Sequence, residues 1–155
     1  MIQRVQSIWL LLATLTLICL LFLPLLTKTV DNIEYRIYTT SLHQHVKVGT
    51  AEGIKTEISI VPMALNIAAA LFCFASIFLF RNRSMQKKVI LVAILIIIAL
   101  SVLCGINTQQ LPGGMAGISP EPGTFLPLIA IIFSMLAISG IKKDEQLLKS
   151  ADRLR

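Results

Sequence analysis

The side chains of this chain that could do chemistry are few. His43 and His45 form a His-x-His pair, which on an extended strand would set both rings on one face, as two metal ligands are set. No third ligand stands at a fixed spacing from them, so a solvated loop is the expected setting and no metal site is assigned. Glu121 is the single charge of a second polar stretch, and nothing near it suggests an acid–base partner. Cys19, Cys73 and Cys104 lie in apolar runs; an odd number without close spacing builds neither a disulfide framework nor a zinc site, and all three read as small buried hydrophobes. His-Glu-x-x-His, Gly-x-Ser-x-Gly, a phosphate-cradling glycine loop and a Cys–His pair are all missing from the sequence. No catalytic, cofactor or metal residue is therefore assigned, and a non-enzyme is expected.

The elements around these residues are dominated by apolar runs. Of 155 residues 55% are hydrophobic and 14% charged, and the mean hydropathy is +0.81, whereas a soluble domain carries about a quarter charged residues. An all-α membrane protein follows, one domain over residues 1–155. A bilayer core of about 30 Å needs roughly 20 apolar residues in helix, and four stretches meet or approach that: about 8–26, 58–80, 89–106 and 124–141, none containing Asp, Glu, Lys, Arg or His. The first is too long for a signal peptide core, and "LTKTV" after it lacks a small-x-small cleavage pattern. A lipoprotein reading at Cys19 fails on Ile18, where a small residue is wanted.

Basic residues decide orientation. Arg4 precedes the first span, Arg81, Arg83, Lys87 and Lys88 fill the connection 81–88, and Lys142, Lys143, Lys149, Arg153 and Arg155 follow the fourth span in the tail 142–155. The loop 107–123 has no Lys or Arg, and in the loop 27–57 Lys28, Arg36, Lys47 and Lys55 are matched by Asp31, Glu34, Glu52 and Glu57. Both termini are expected in the cytoplasm. The net charge of +6 then marks the cytoplasmic side and needs no nucleic acid. "RNRSMQKK" would also attract anionic headgroups, at about 1 kcal/mol per basic residue, so the bilayer itself is an expected partner.

Within the loop 27–57, "IEYRIYT" and "IKTEISI" are β-branched and partly alternating, with "GTAEG" as a turn between them. They predict a small antiparallel hairpin or sheet over the outer ends of the helices, with "HVKV" as a middle strand. The loop 107–123, rich in glycine and proline, reads as an irregular cap. The second helix should take shape near Pro62, which a first turn tolerates.

Inside the spans, Asn66, Thr14, Thr16, Ser76, Ser101 and Ser134 can bond across helices or back to their own backbone. Asn66 and Ser134 are expected to serve helix packing. Ala64, Ala68, Ala69, Cys73 and Ala75 on the second span, and Ala130, Ser134, Ala137 and Gly140 on the fourth, make these two helices candidate packing partners. The tail "KKDEQLLKSADRLR" predicts a cytoplasmic helical extension. In it Leu147, Leu148, Ala151 and Leu154 share a side and Glu145 pairs with Lys149 at i,i+4. Arg81, Arg83, Lys87, Lys88, Lys142, Lys143, Leu147, Leu148, Lys149, Asp152, Arg153 and Arg155 are the candidate lipid or partner contacts.

"MIQRVQSIWLLLA" at one end and "GIKKDEQLLKSADRLR" at the other resemble the domain of unknown function 4293 family, small four-span membrane proteins of Bacteroidetes-type bacteria. That resemblance implies a bacterial inner-membrane protein and brings no activity with it. The layout is also similar to claudin-type proteins in architecture alone, since the first outer loop lacks their cysteine pair. The expectation is a scaffold or accessory subunit of an envelope complex, with an unidentified membrane-protein partner or a homo-oligomer. The alternatives are an oligomeric passive channel or carrier lined by Asn66, Ser76, Ser101 and Ser134, and more remotely a lipid-modifying enzyme. A reporter fused after Arg155 should read cytoplasmic and one inserted in 27–57 external; the reverse pattern would overturn the orientation.

Overall fold

The computed structural model describes residues 3–30, 33–48, 51–109 and 118–152. Four helices, α1 (Gln3–Phe22), α2 (Ile60–Phe78), α3 (Arg83–Gln109) and α4 (Leu126–Asp152), run up and down beside a five-stranded antiparallel sheet. All four are long and apolar enough to cross a membrane. Each of α1 and α3 borders both α2 and α4, so the helices close a four-membered ring.

Each helix buries a narrow seam. Along α1 it is Gln6, Leu10, Ala13, Leu17 and Leu20; along α2 Pro62, Asn66, Ala69, Cys73 and Ser76. Along α3 it is Gln86, Ile90, Ala93, Ile97, Leu100 and Cys104, and along α4 Ala130, Ser134, Ala137, Ile141 and Asp144. Every step is three or four residues, the spacing of helices that supercoil with left-handed, knobs-into-holes packing. The outward faces carry the larger apolar side chains, such as Leu11, Leu15 and Ile18 on α1 and Leu91, Leu95 and Ile98 on α3. Small and polar residues interleaved with leucine and isoleucine along the inner seams let the helix backbones approach closely.

The small-residue faces of α2 and α4 do not make these helices neighbours. They face each other diagonally, where Ala69, Cys73 and Ala130 share a core with Ala13, Leu17, Ala93 and Ile97, and Cys73 meets the Ser134 hydroxyl. Ala64 and Ala75 turn outward, and with Ala68, Leu71 and Phe72 the second leaves an open apolar groove on α2.

The helices also outlast the apolar stretches. α3 begins at Arg83, not Val89, because Asn82 accepts from the Met85 N–H at 3.3 Å and starts it. The expected connection 81–88 shrinks to a 3-10 turn, Leu79–Arg81, and Asn82. α4 continues unbroken to Asp152, so the tail is helical as its pattern suggested. Hydropathy marks where a helix leaves the apolar zone, and charged residues are good helix formers beyond it. α1, by contrast, stops at Phe22, four residues short of the expected end, since Pro24 cannot continue a helix.

The sheet runs β4-β3-β2-β1-β5, with β1 Leu26–Val30, β2 Ile33–Ile37, β3 Ser41–Val48, β4 Ala51–Ile58 and β5 Ile118–Pro120. "HVKV" is indeed in the middle strand, between β2 and β4. Two strands were not expected: β1, of which Leu26 was read as the end of a span and residues 27–30 as the start of the outer loop, and β5, part of the supposed irregular cap. Ala51–Gly53, read as turn, belong to β4; Gly49 and Thr50, like residues 110–117 of the second loop, lie outside the described residues.

The two loops are sewn together at Pro24 and Leu25. Glu121 N–H donates to Leu25 C=O and Gly123 N–H to Pro24 C=O, each at 3.1 Å, and the Thr124 hydroxyl also donates to Leu25 C=O. A Cβ on Gly123 would overlap the Pro24 carbonyl, and both partners are backbone, so neither can yield. Gly123→Ala should therefore destabilise the protein by about 2 kcal/mol, read as a lowered unfolding temperature in detergent.

Candidate functional site

Polar groups collect at three levels of the bundle. The first is the end away from the sheet. Gln6 on α1 is buried, and its Nε2 donates to the buried Asp144 carboxylate on α4. A Cβ at Gly140 would sit 3.0 Å from Gln6 Cγ, so this glycine leaves the room in which the Gln6 stem lies along α4. Gln86 Nε2 on α3 donates to Ser76 C=O on α2 at 3.0 Å, and the Ser76 hydroxyl turns back to Cys73 C=O at 2.6 Å. Lys87 and Glu145 form an ion pair at 2.8 Å, each side chain 29% exposed. Arg83 has a buried Nη1 with no partner among the described residues.

The candidate contacts of the sequence are thus brought together only in part. Lys87 meets Glu145 across α3 and α4, while Lys88, Lys142, Lys143 and Leu147 point outward. Glu145 pairs with Lys87 on the neighbouring helix, and its expected i,i+4 pair with Lys149 falls on a side chain outside the described residues. The side chains of Arg4, Arg81, Leu148, Lys149, Ala151 and Asp152, and Arg153, Leu154 and Arg155 altogether, lie outside those described. Asp144 is the residue that sequence reasoning missed. It was read as the start of a charged extension, yet it falls three residues after Ile141 on the seam, and that spacing was a signal available beforehand.

The second level is Asn66, fully buried near the sheet end. Its Nδ2 donates to Leu17 C=O on α1 at 3.2 Å, and its Oδ1 has no partner among the described residues. Ser134 donates to Ala130 C=O within α4 at 2.8 Å and Ser101 to Ile97 C=O at 2.9 Å. Asn66, Ser76 and Ser134 all face the interior of one bundle, whereas Ser101 is exposed.

The third level lies beneath the sheet. The Thr39 hydroxyl donates to Leu20 C=O at the end of α1 at 2.9 Å, and Thr27 donates to Glu121 at 3.1 Å. Lys28, counted in the sequence as one balanced loop charge, is fully buried, in register between Tyr35 and Ile118. Arg36 pairs with Glu34 at 2.8 Å; that hydrogen bond, with the attraction between the two charges, raises the guanidinium pKa above its ordinary value. A cavity of about 320 Å3 opens between the sheet and the tops of α2 and α3, walled by Ile37, Leu42, Glu57, Ser59, Cys104 and Asn107 among others. Among the described residues no three His, Cys, Asp or Glu side chains gather as metal ligands would; the His43 and His45 side chains lie outside them.

A family model described as "Domain of unknown function (DUF4293)" matches residues 2–154. No curated protein matches the chain.

The Gln6–Asp144 bond is open to a direct measurement. A double-mutant cycle on Gln6→Leu and Asp144→Leu, followed by unfolding in micelles, should give a coupling of about 1 kcal/mol. Strictly additive single variants would show that the two side chains do not support each other.

Proposed function

The chain belongs to the DUF4293 family over nearly its whole length, a membership that brings no activity with it, and from its own geometry we propose a non-enzymatic integral protein of the bacterial inner membrane. It serves as a scaffold or accessory subunit of an envelope complex, with both termini cytoplasmic and the sheet outside. The use of the interior polar groups carries this reading. Gln6, Asn66, Ser76, Gln86, Ser134 and Asp144 each bond a neighbouring helix or their own backbone, so they build the bundle. What remains to meet a partner is the two ends: the sheet, and α4 where it continues past Glu145 with Leu147 half exposed. The basic residues Lys88, Lys142 and Lys143 ring the tail end, in keeping with the positive-inside bias and with anionic headgroups there.

Deletion of 147–155 should leave insertion and the four spans intact but abolish capture of the partner, read by cross-linking and mass spectrometry in native membranes with the full chain and the deletion variant compared as baits. Pull-downs that return only the protein itself would end the accessory-subunit reading.

A further inference from the structure

The two edges of the sheet are built differently. β5 is three residues long and ends in Pro120, the short, proline-bearing kind of edge that resists pairing. β4 is eight residues, Ala51–Ile58, without a proline, and its ladder to β3 runs without a bulge from Ser41 opposite Ile58 to Val48 opposite Ala51. No strand lies on its far side among the described residues. The Ser59 N–H donates to Thr40 C=O at 3.0 Å. By alternation Lys55 and Glu57 then direct their backbone groups toward β3, while Ile54 and Ile58 direct theirs away from it. A long edge of that kind is a template for another strand.

The sequence of β4, Ala-Glu-Gly-Ile-Lys-Thr-Glu-Ile, is complementary to itself in one register. Antiparallel pairing of two copies about a twofold axis sets each residue opposite another of the same alternation. Centred on Gly53 or Ile54, no charge meets its opposite; centred on Lys55 or Glu57, like charges meet, which destabilises a ladder. Centred on Thr56, Lys55 stands opposite Glu57 and Ile54 opposite Ile58, each twice.

We propose that two copies of this chain join edge to edge along β4, about a twofold axis at Thr56, so that their two sheets become one. Ile54 of each copy exchanges backbone hydrogen bonds with Ile58 of the other. Lys55 meets Glu57, which in the single chain is exposed and bonds no other side chain among the described residues. Ile58, 74% exposed in one chain, is covered by Ile54 of the other. The sheet lies across the helix ends, with Ile37, Leu42 and Glu57 lining the cavity over α2 and α3. An axis normal to the sheet therefore runs along the bundle, and both copies enter the bilayer in the same sense, a step that rests on the membrane reading above.

Single-cysteine cross-linking of the full chain in native membranes, with copper phenanthroline as oxidant, tests the register. Thr56→Cys should give a dimer, since opposed Cα atoms of a hydrogen-bonded pair stand about 5.5 Å apart and a disulfide spans about 4.4–6.8 Å. Ile54→Cys alone should not, because its two copies lie about 13 Å apart along the strands; mixed with Ile58→Cys, it should. Thr29→Cys on β1 and the unaltered chain, with its Cys19, Cys73 and Cys104, give the background. Glu57→Lys should weaken association about tenfold, and Lys55→Glu combined with Glu57→Lys should restore it. No dimer from Thr56→Cys, a dimer from Ile54→Cys alone, Thr56→Cys joined to a different protein, or no recovery in the combined variant overturns the proposal. Should the charge variants misfold, the cysteine series decides. Extraction by alkaline carbonate separates the two readings: a chain released from membranes defeats the membrane reading, and a chain retained there without the Thr56→Cys dimer defeats only the edge pairing.

Discussion

Close approach along four narrow seams is the constraint on which the rest of this structure depends. Helices that are apolar all round gain little hydrophobic free energy by leaving an apolar surround for one another. What holds them is contact, and contact needs backbones near enough for small and polar side chains to touch. Ala13, Ala69, Ala93 and Ala130 meet at the centre, and there Cys73 reaches Ser134 across the diagonal. With bulky residues at those places α2 and α4 would be held apart and the ring would open.

The polar members of the seams work within the same constraint. A buried amide or carboxylate without a partner is costly, so Gln6, Gln86 and Asn66 each reach the helix beside them. These bonds are directional, and they set how far one helix slides along the next, which apolar contact alone leaves loose. The exposed pairs contribute differently. Lys87–Glu145 and Arg36–Glu34 stand partly in solvent, where an ion pair adds about 0–1 kcal/mol. Lys87–Glu145 nonetheless ties the second turn of α3 to the extension of α4, and so points that extension.

The sheet is an outgrowth of the bundle more than a separate layer. β1 follows α1 after three residues and β4 leads into α2 through Ser59, so the first loop is anchored at both ends. β5 then pairs with β1, and Thr39 bonds the end of α1. The second loop is thereby drawn to the first, and the space left between the sheet and the tops of α2 and α3 is the cavity lined by Glu57 and Asn107.

The number of long apolar helices, the β-forming character of the first loop, the helical tail and the family were all legible in the chain, because length, hydropathy and local pattern are properties of consecutive residues. The seams were only half legible. In uniformly apolar helices no hydrophobic contrast marks the inner face; the marker is inverted, and Asn66, Ala69, Cys73 and Ser76 or Ala130, Ser134 and Ala137 at three- and four-residue steps carry it. What tertiary structure alone decided is whatever joins distant residues: β5 on β1, Asp144 on Gln6, Glu145 on Lys87, the burial of Lys28. Each is a choice among many partners of suitable chemistry, and the geometry of the closed ring, which no local stretch contains, makes that choice.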